Sequence, residues 1–563
     1  MRLNYIAFFA FFVFMGLTSC SKENLSDEEA NRDGDSFDDV PGAYILTPAT
    51  QTASTLPGYG QSSDPFRIRN AAELKYFVQA VNDGSLHPFA IDPVDENDKE
   101  SQEQRSVYVE LAHDIEVSPD YSWTPIGTFA NPCEVYFNGK GYKIKGTLMH
   151  RDISLENGDS RSRSYSDNMA RHGFFGYIYT ADIRELTIEA DITADKFARC
   201  LSVGGIAAAA DDSRLTDCRF TGTIKTPANA SVEKLYVGGL IGYSSLPKVT
   251  NSISDGTFDF SASLTTSDRT VNARNLYVGG LAGYSFCPGF TGCTNRTAIS
   301  LDHITTARAG IGGLFGRIED DAEIMETHNE ADIKISNVRR YISDESDQGL
   351  CVGGIAGEGY FQQSIGKTSN KGEISVKSTG LHAFVGGAGG RIRVNSAGGG
   401  VIDIVNEGDV VNLSPSGYTG GCLGLYQGEA FSAINRGNVR SECTGSEVLR
   451  DSGSTGGIVG YADQYDTRSI ANARNFGDIT SPAPYDTDHG PQSYAGAIVG
   501  NAHPVLVNDC DNAGKVNGMS PDAPISWVGA LWFGWQRLID GVYEYDSEEG
   551  WYWREQIKKL ISY

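Results

Sequence analysis

The decapeptide Leu235-Tyr236-Val237-Gly238-Gly239-Leu240-Ile241-Gly242-Tyr243-Ser244 returns almost unchanged as Leu276-Tyr277-Val278-Gly279-Gly280-Leu281-Ala282-Gly283-Tyr284-Ser285. Weaker copies occupy residues 311–316, 352–357 and 455–460, and degenerate ones 203–207, 385–389, 419–424, 495–500 and 528–531. Successive copies lie about 33 to 41 residues apart. That period belongs to stacked repeats, in which one architecture absorbs hundreds of residues without separate domains. Glycine accounts for 66 of 563 residues, yet 40% are hydrophobic and 10% aromatic, so the chain is neither collagen-like nor disordered.

Each repeat has a second half. About 15 to 20 residues after the glycine pair comes Asn-x-Gly-x-Ile/Val, clearest at Asn370, Asn406 and Asn435 and continued at Asn475 and Asn512. Asn295 and Asn329 hold the same slot with the glycine replaced. The pattern predicts a turn, with Asn bonding local backbone and Gly at positive φ. In coils stacked about 4.8 Å apart the seven Asn side chains would form a hydrogen-bonded ladder. Two residues earlier stand Cys218, Cys293 and Cys510, among Ser, Thr, Ala and one Ile; small residues in one register predict core thiols. A Cys287–Cys293 bridge stays open as an alternative. The glycine pair predicts a sharp bend or close backbone approach at a corner of the coil.

The balance of 46 basic and 72 acidic residues, −26 overall, excludes nucleic-acid binding, which needs clustered Lys and Arg. At the front, Met1-Arg2 precedes an apolar run from Ile6 to Met15 that is too short to span a bilayer and suits a secretory signal. Leu17-Thr18-Ser19-Cys20 resembles the lipobox of bacterial lipoproteins, which implies acylation of Cys20 and an outer-membrane lipid partner. The acid-rich residues after it resemble the signal that sends such lipoproteins to the cell surface. Residues 20–63 predict a flexible acidic tether. Its carboxylates at 31–39 lack the bidentate Glu of a calcium loop, so no metal site is assigned.

Folded structure is expected from Asn70, an N-cap with Glu73 as its reciprocal partner. Leu74, Phe77, Val78 and Val81 then give one apolar stripe, and Gly84 a stop. Strand patterns follow at 107–111, 114–117, 123–127, 135–144 and 173–178; the polar stretch 151–171 predicts a loop, and 183–188 a strand. This order, a helix, then Asp114-Ile115, Trp123-Thr124-Pro125-Ile126-Gly127, Phe137-Asn138-Gly139-Lys140-Gly141 and Gly173-Phe174-Phe175-Gly176, resembles surface proteins with GLUG-motif repeats. The later glycine-pair copies resemble the GLUG repeat itself. Such repeats also occur beside the catalytic domain of immunoglobulin-cleaving metallopeptidases, but this chain has no HExxH, no GxSxG and no P-loop.

The expected fold is all-β, a right-handed parallel β-helix-like solenoid. Its parts are a signal peptide over 1–19, the tether, a cap with first strands over 64–172, repeats over 173–526 and an aromatic cap over 527–563. Five of six tryptophans lie in that last segment; Trp532, Trp535 and Trp551 are candidates for stacking on a ligand, and 553–561 has helical spacing. Extra residues before certain glycine pairs, at 261–275 and 337–349, predict projecting loops. The expected function is a non-catalytic, cofactor-free surface lipoprotein of adhesin type, binding an extracellular glycan or host or matrix protein. The alternative is a carbohydrate-active β-helix enzyme, whose carboxylates would be drawn from residues such as Asp114, Asp182 and Asp191.

Overall fold

Tyr236, Val237 and Gly238 pair in parallel with Tyr277, Val278 and Gly279, which pair in turn with Gly310, Ile311 and Gly312. One repeat is therefore one turn of a coil. The computed structural model describes residues 43–86, 107–150, 169–194, 200–226, 231–260, 271–340, 349–361, 365–394, 402–428, 432–443, 453–463, 469–482, 493–502, 506–518, 528–533, 536–539 and 542–543. Their strands stack into three long sheets of 23, 16 and 13 members. The pairing is parallel in all three until the strands Val528–Phe533, Gln536–Ile539 and Val542–Tyr543 reverse direction at the C-terminal end. The protein is a parallel β-solenoid.

The turn from Arg308 to Arg340 shows the path. An approach strand, Arg308–Gly312, leads into the glycine pair and a departure strand, Phe315–Asp320, leaves it. Glu323–Met325 and His328–Asn329 then run in the largest sheet, and Ile333–Arg340 returns toward the next approach strand. Side chains alternate with period two: Ile333 and Ile335 are buried and Lys334 between them is exposed. Inward residues join one apolar core from Leu46 to Cys510. A lone turn would leave both rims of that core wet; stacking removes apolar area from water at roughly 25 cal/mol per Å².

The corners differ from expectation. Gly372, Gly408, Gly437, Gly477 and Gly514 of the Asn-x-Gly turns are not in the left-handed region. They are needed for close approach: a methyl on Gly437 would collide with the carbonyl oxygen of Gly408, and one on Gly477 with that of Gly437. Left-handed residues sit instead at an earlier corner, where Glu185, Asp217, Asn251, Glu326 and Lys367 have φ of 50 to 54°. Glu185 thus splits the strand expected over 183–188 into Asp182–Arg184 and Thr187–Ala194.

The helix Ala71–Asn82 is capped by Asn70, whose side chain accepts from the Glu73 amide, and Leu74, Phe77, Val78 and Val81 are buried under the first turns. The Glu73 carboxylate accepts from the Arg69 amide at 2.7 Å, one residue earlier than a reciprocal capping box would place it. Gly84 follows at φ 73°. Order begins sooner than the tether reading allowed. Ile45–Leu46 pairs with Glu116 and Val117, the Ala71 amide donates to Ala43 O at 2.9 Å, and Leu46 and Leu56 are buried beside the helix. Two paired residues are too few to register in a Pro- and Gly-rich stretch.

The loop expected over 151–171 ends earlier than its polar composition implied. Met169–His172 is a buried strand paired with Cys200–Gly204. Of the two expected insertions, Val271–Gly279 and Ile333–Arg340 extend as strands into them; 261–270 and 341–348 lie outside the described residues. So do Cys20, 31–39, Trp535, Trp551 and 553–561. Trp532 lies within the strand Val528–Phe533. No helix among the described residues is long and apolar enough to cross a membrane.

Candidate functional site

The Asn residues form a continuous internal column. Nδ2 of Asn295 donates to Oδ1 of Asn329 at 2.7 Å, and Asn329, Asn370, Asn406, Asn435 and Asn475 each donate to the next Asn, ending at Asn512, at 2.7 to 2.8 Å. Each Nδ2 also donates to its own carbonyl two residues on, as Asn370 does to Gly372 O at 2.8 Å. From Asn295 to Asn475 these side chains are buried. The second glycine of each pair is their wall: a methyl on Gly280, Gly313, Gly354 or Gly387 would collide with the amide of Asn295, Asn329, Asn370 or Asn406. The two halves of the repeat thus meet inside the coil, and the column is structural.

The feature open to a ligand lies on the other side of the glycine pairs. In Leu276-Tyr277-Val278, Leu and Val enter the core and Tyr points away from it, where period-two reasoning places solvent. Yet Tyr236, Tyr243 and Tyr277 are buried and form a second cluster. The cause is the third glycine of the motif. A methyl on Gly283 would collide with the Val237 amide nitrogen, and one on Gly316 with that of Val278, so departure strands fold tightly against the preceding approach strands. Their outward side chains converge in a seam along the rod. Tyr236 and Tyr277 stack at 5.9 Å, Tyr243 and Tyr284 at 5.0 Å, and farther along Tyr418 stacks on Tyr461 at 4.7 Å. Burial pushes the Tyr236 and Tyr277 hydroxyls above their ordinary pKa.

Mid-seam the departure column changes to charge: Tyr284 pairs with Arg317, Arg317 with Glu358 and Glu358 with Arg391. Glu358 is buried and accepts from Arg308, with Nε at 2.8 Å, and from Arg317 at 3.3 Å. Burial opposes its charge, but Arg317 and Arg308 outweigh burial and hold its carboxyl below the usual Glu range. Arg317 also pairs with Glu319, which accepts from the Tyr284 hydroxyl. Arg391 lies over the Phe384 ring, 4.2 Å from its centroid. Beside it His382 is buried, with Nδ1 2.7 Å from Ser416 Oγ; burial, then Arg391, bring its pKa down to about 4.

The outer tier of the seam reaches solvent. Tyr179 and Tyr360 are 41% and 42% exposed, and Arg393 is exposed above Tyr360. Sequence reasoning missed this seam, although its signal was an aromatic residue repeatedly set between two aliphatic ones beside a glycine pair.

The acidic residues weighed for catalysis sit elsewhere, each with a cation: Asp114 with Lys145 at 2.6 Å, Asp182 with Arg184 at 2.7 Å and Asp191 with Lys225 at 3.3 Å. Cys287 and Cys293 are not bridged to each other. Cys218, Cys293 and Cys510 are buried with Sγ 3.5 Å from carbonyl oxygens, and burial pushes the first two thiols up to about 12. Among the described residues no three His, Cys, Asp or Glu side chains are grouped to hold a metal ion.

No protein-family model matches the chain, and no curated protein matches it. The likeness to GLUG-repeat proteins therefore stays one of motif order. A solved structure, a proposed immunoglobulin A1 protease from Bacteroides ovatus, is 14% identical over 81% of this chain and 86% of that one, with a TM-score of 0.27.

Proposed function

We propose that the protein is a non-catalytic, surface-displayed lipoprotein, anchored through an acylated Cys20, whose solenoid binds an extracellular glycan or host or matrix protein along the seam. The observation that carries this reading is the line of Tyr, Phe and Arg side chains held in register over successive turns, with an accessible outer tier at Tyr179, Tyr360 and Arg393. Aromatic rings with a polar tip and arginines are the residue types that concentrate binding energy. The strands hold them rigidly, so little conformational entropy is lost on binding. The lipobox-like residues 17–20 and the acidic composition support display outside the cell. A glycan and matrix-protein array probed with chain expressed from Ser21 tests the proposal. Retention of a ligand without product release is the expected result, lost on Tyr360→Ala; turnover of a polysaccharide would make it a carbohydrate-active enzyme instead.

A further inference from the structure

We infer that the seam around Arg391 and Arg393 takes an acidic polysaccharide, with a uronate carboxylate seated on the Arg391 guanidinium. The inference rests on the proposal that the seam is the ligand face.

Charge comes first. The chain carries −26 overall, yet four arginines, Arg308, Arg317, Arg391 and Arg393, stand together on this part of the seam with Glu319 and Glu358. An acidic polymer is repelled by most of such a surface and finds a favourable potential where the arginines gather. The acceptors there are already engaged. Glu358 is held by Arg308 and Arg317, and Arg391 comes only within 3.9 Å of it, too far for a hydrogen bond. Among the described residues the Arg391 side chain has no hydrogen-bond acceptor, although it is partly exposed.

The guanidinium is also preorganised. It lies on Phe384, and that ring has room because Gly349, at φ 79°, carries no side chain where a methyl would press on it. A planar guanidinium with open N–H groups matches a carboxylate in a fork that an ammonium cannot reproduce. Two residues on, roughly 6.6 Å along the strand, Arg393 is tied to Gln427 Oε1 at 2.5 Å and lies over Tyr360. The exposed Tyr360 ring beside Arg393 and the Arg391 guanidinium two residues back along the strand offer a sugar face and its carboxylate one partner each.

The test uses full-length protein in detergent, with polygalacturonate and hyaluronate as probes and their methyl esters as uncharged controls. Both acids are expected to bind, with affinity falling as salt rises, and both esters to bind about tenfold more weakly or worse. Arg391→Gln and the exposed Arg393→Gln should each reproduce that loss, Arg391→Lys should recover only part of it, and Arg67→Gln, on the N-terminal turns, should change nothing. Near-ultraviolet circular dichroism checks that each variant is folded. Equal affinity for acid and ester, or unchanged binding by both Gln variants, overturns the inference. So does binding confined to neutral glycans or to a protein, which would leave the seam as the ligand face. An array on which nothing binds overturns the underlying proposal as well.

Discussion

Asn370 donates its side-chain amide to Oδ1 of Asn406 at 2.8 Å while its own Oδ1 accepts from Asn329 at 2.7 Å. Both bonds are buried, and neither neighbour has water to turn to. Truncating Asn370→Ala orphans a donor below and an acceptor above, each costing about 1–3 kcal/mol, so a loss of roughly 2–6 kcal/mol is expected. Urea unfolding measures it, read by probes near and far from the ladder because repeat arrays need not unfold as one unit.

Gly437 and Gly289 are both glycines, with opposite sensitivity. A methyl on Gly437 would strike the Gly408 carbonyl oxygen, whereas at Gly289 the nearest atom, Pro247 O, is 3.4 Å away. Gly437→Ala should force two turns apart and lower the melting temperature by more than about 5 °C, and Gly289→Ala should shift it by less than about 2 °C. Similar shifts for both would show that close approach does not set the glycine requirement.

Asp217 occupies the left-handed corner at φ 54°. A β-carbon there costs roughly 1–2 kcal/mol, and glycine removes it at the expense of chain entropy. Asp217→Gly is therefore expected to stabilise by about 0.5–1 kcal/mol, measured as a higher urea midpoint with unchanged slope.

Acid should act in two stages. The folded pKa of His382, about 4, is below its unfolded value near 6.5. Above pH 6.5 the ring is neutral in both states. As pH falls from 6.5 to 4 the unfolded chain binds a proton that the folded one refuses, and stability drops by up to about 3 kcal/mol. Glu358, also depressed, contributes stability above the unfolded Glu pKa near 4.3 that is lost as pH falls further. His382→Asn should shrink the first stage without removing it, since burial also holds His150 well below 6.5, whereas Glu358→Gln should cost about 3–5 kcal/mol already at pH 7 by stranding Arg308, Arg317 keeping Glu319. Stability followed from pH 8 to 3 separates the two.

Thiol chemistry checks the burial of the cysteines. Cys287 is half-buried, while Cys133, Cys200, Cys218, Cys293, Cys351, Cys422, Cys443 and Cys510 are buried. Burial also raises the Cys287 pKa, so its reaction should be slow but first. An aromatic disulfide reagent at pH 8 should label Cys287 in native protein and the other eight only after denaturation; early labelling of Cys218 or Cys293 would contradict the packing.

Periodicity alone carried the parallel coil, the helix under Asn70 and the small-residue column at Cys218, Cys293 and Cys510, because each is a local pattern repeated at one interval. The shared slot of the seven Asn residues could be read the same way, since stacking in register brings equal positions together. What periodicity could not carry was the meeting of Gly280 with Asn295, or of Tyr277 with Tyr284. Those contacts depend on how sharply the chain folds at its corners. The left-handed corner at Glu185, Asp217 and Lys367 has no consistent residue type, so nothing in the letters marks it. Tyr277 is outward by alternation, and only the close approach of two sheets, permitted by Gly283 and Gly316, turns that outward face into a buried seam. Alternation tells which side of a strand a residue takes; what lies on that side is a property of the packed coil.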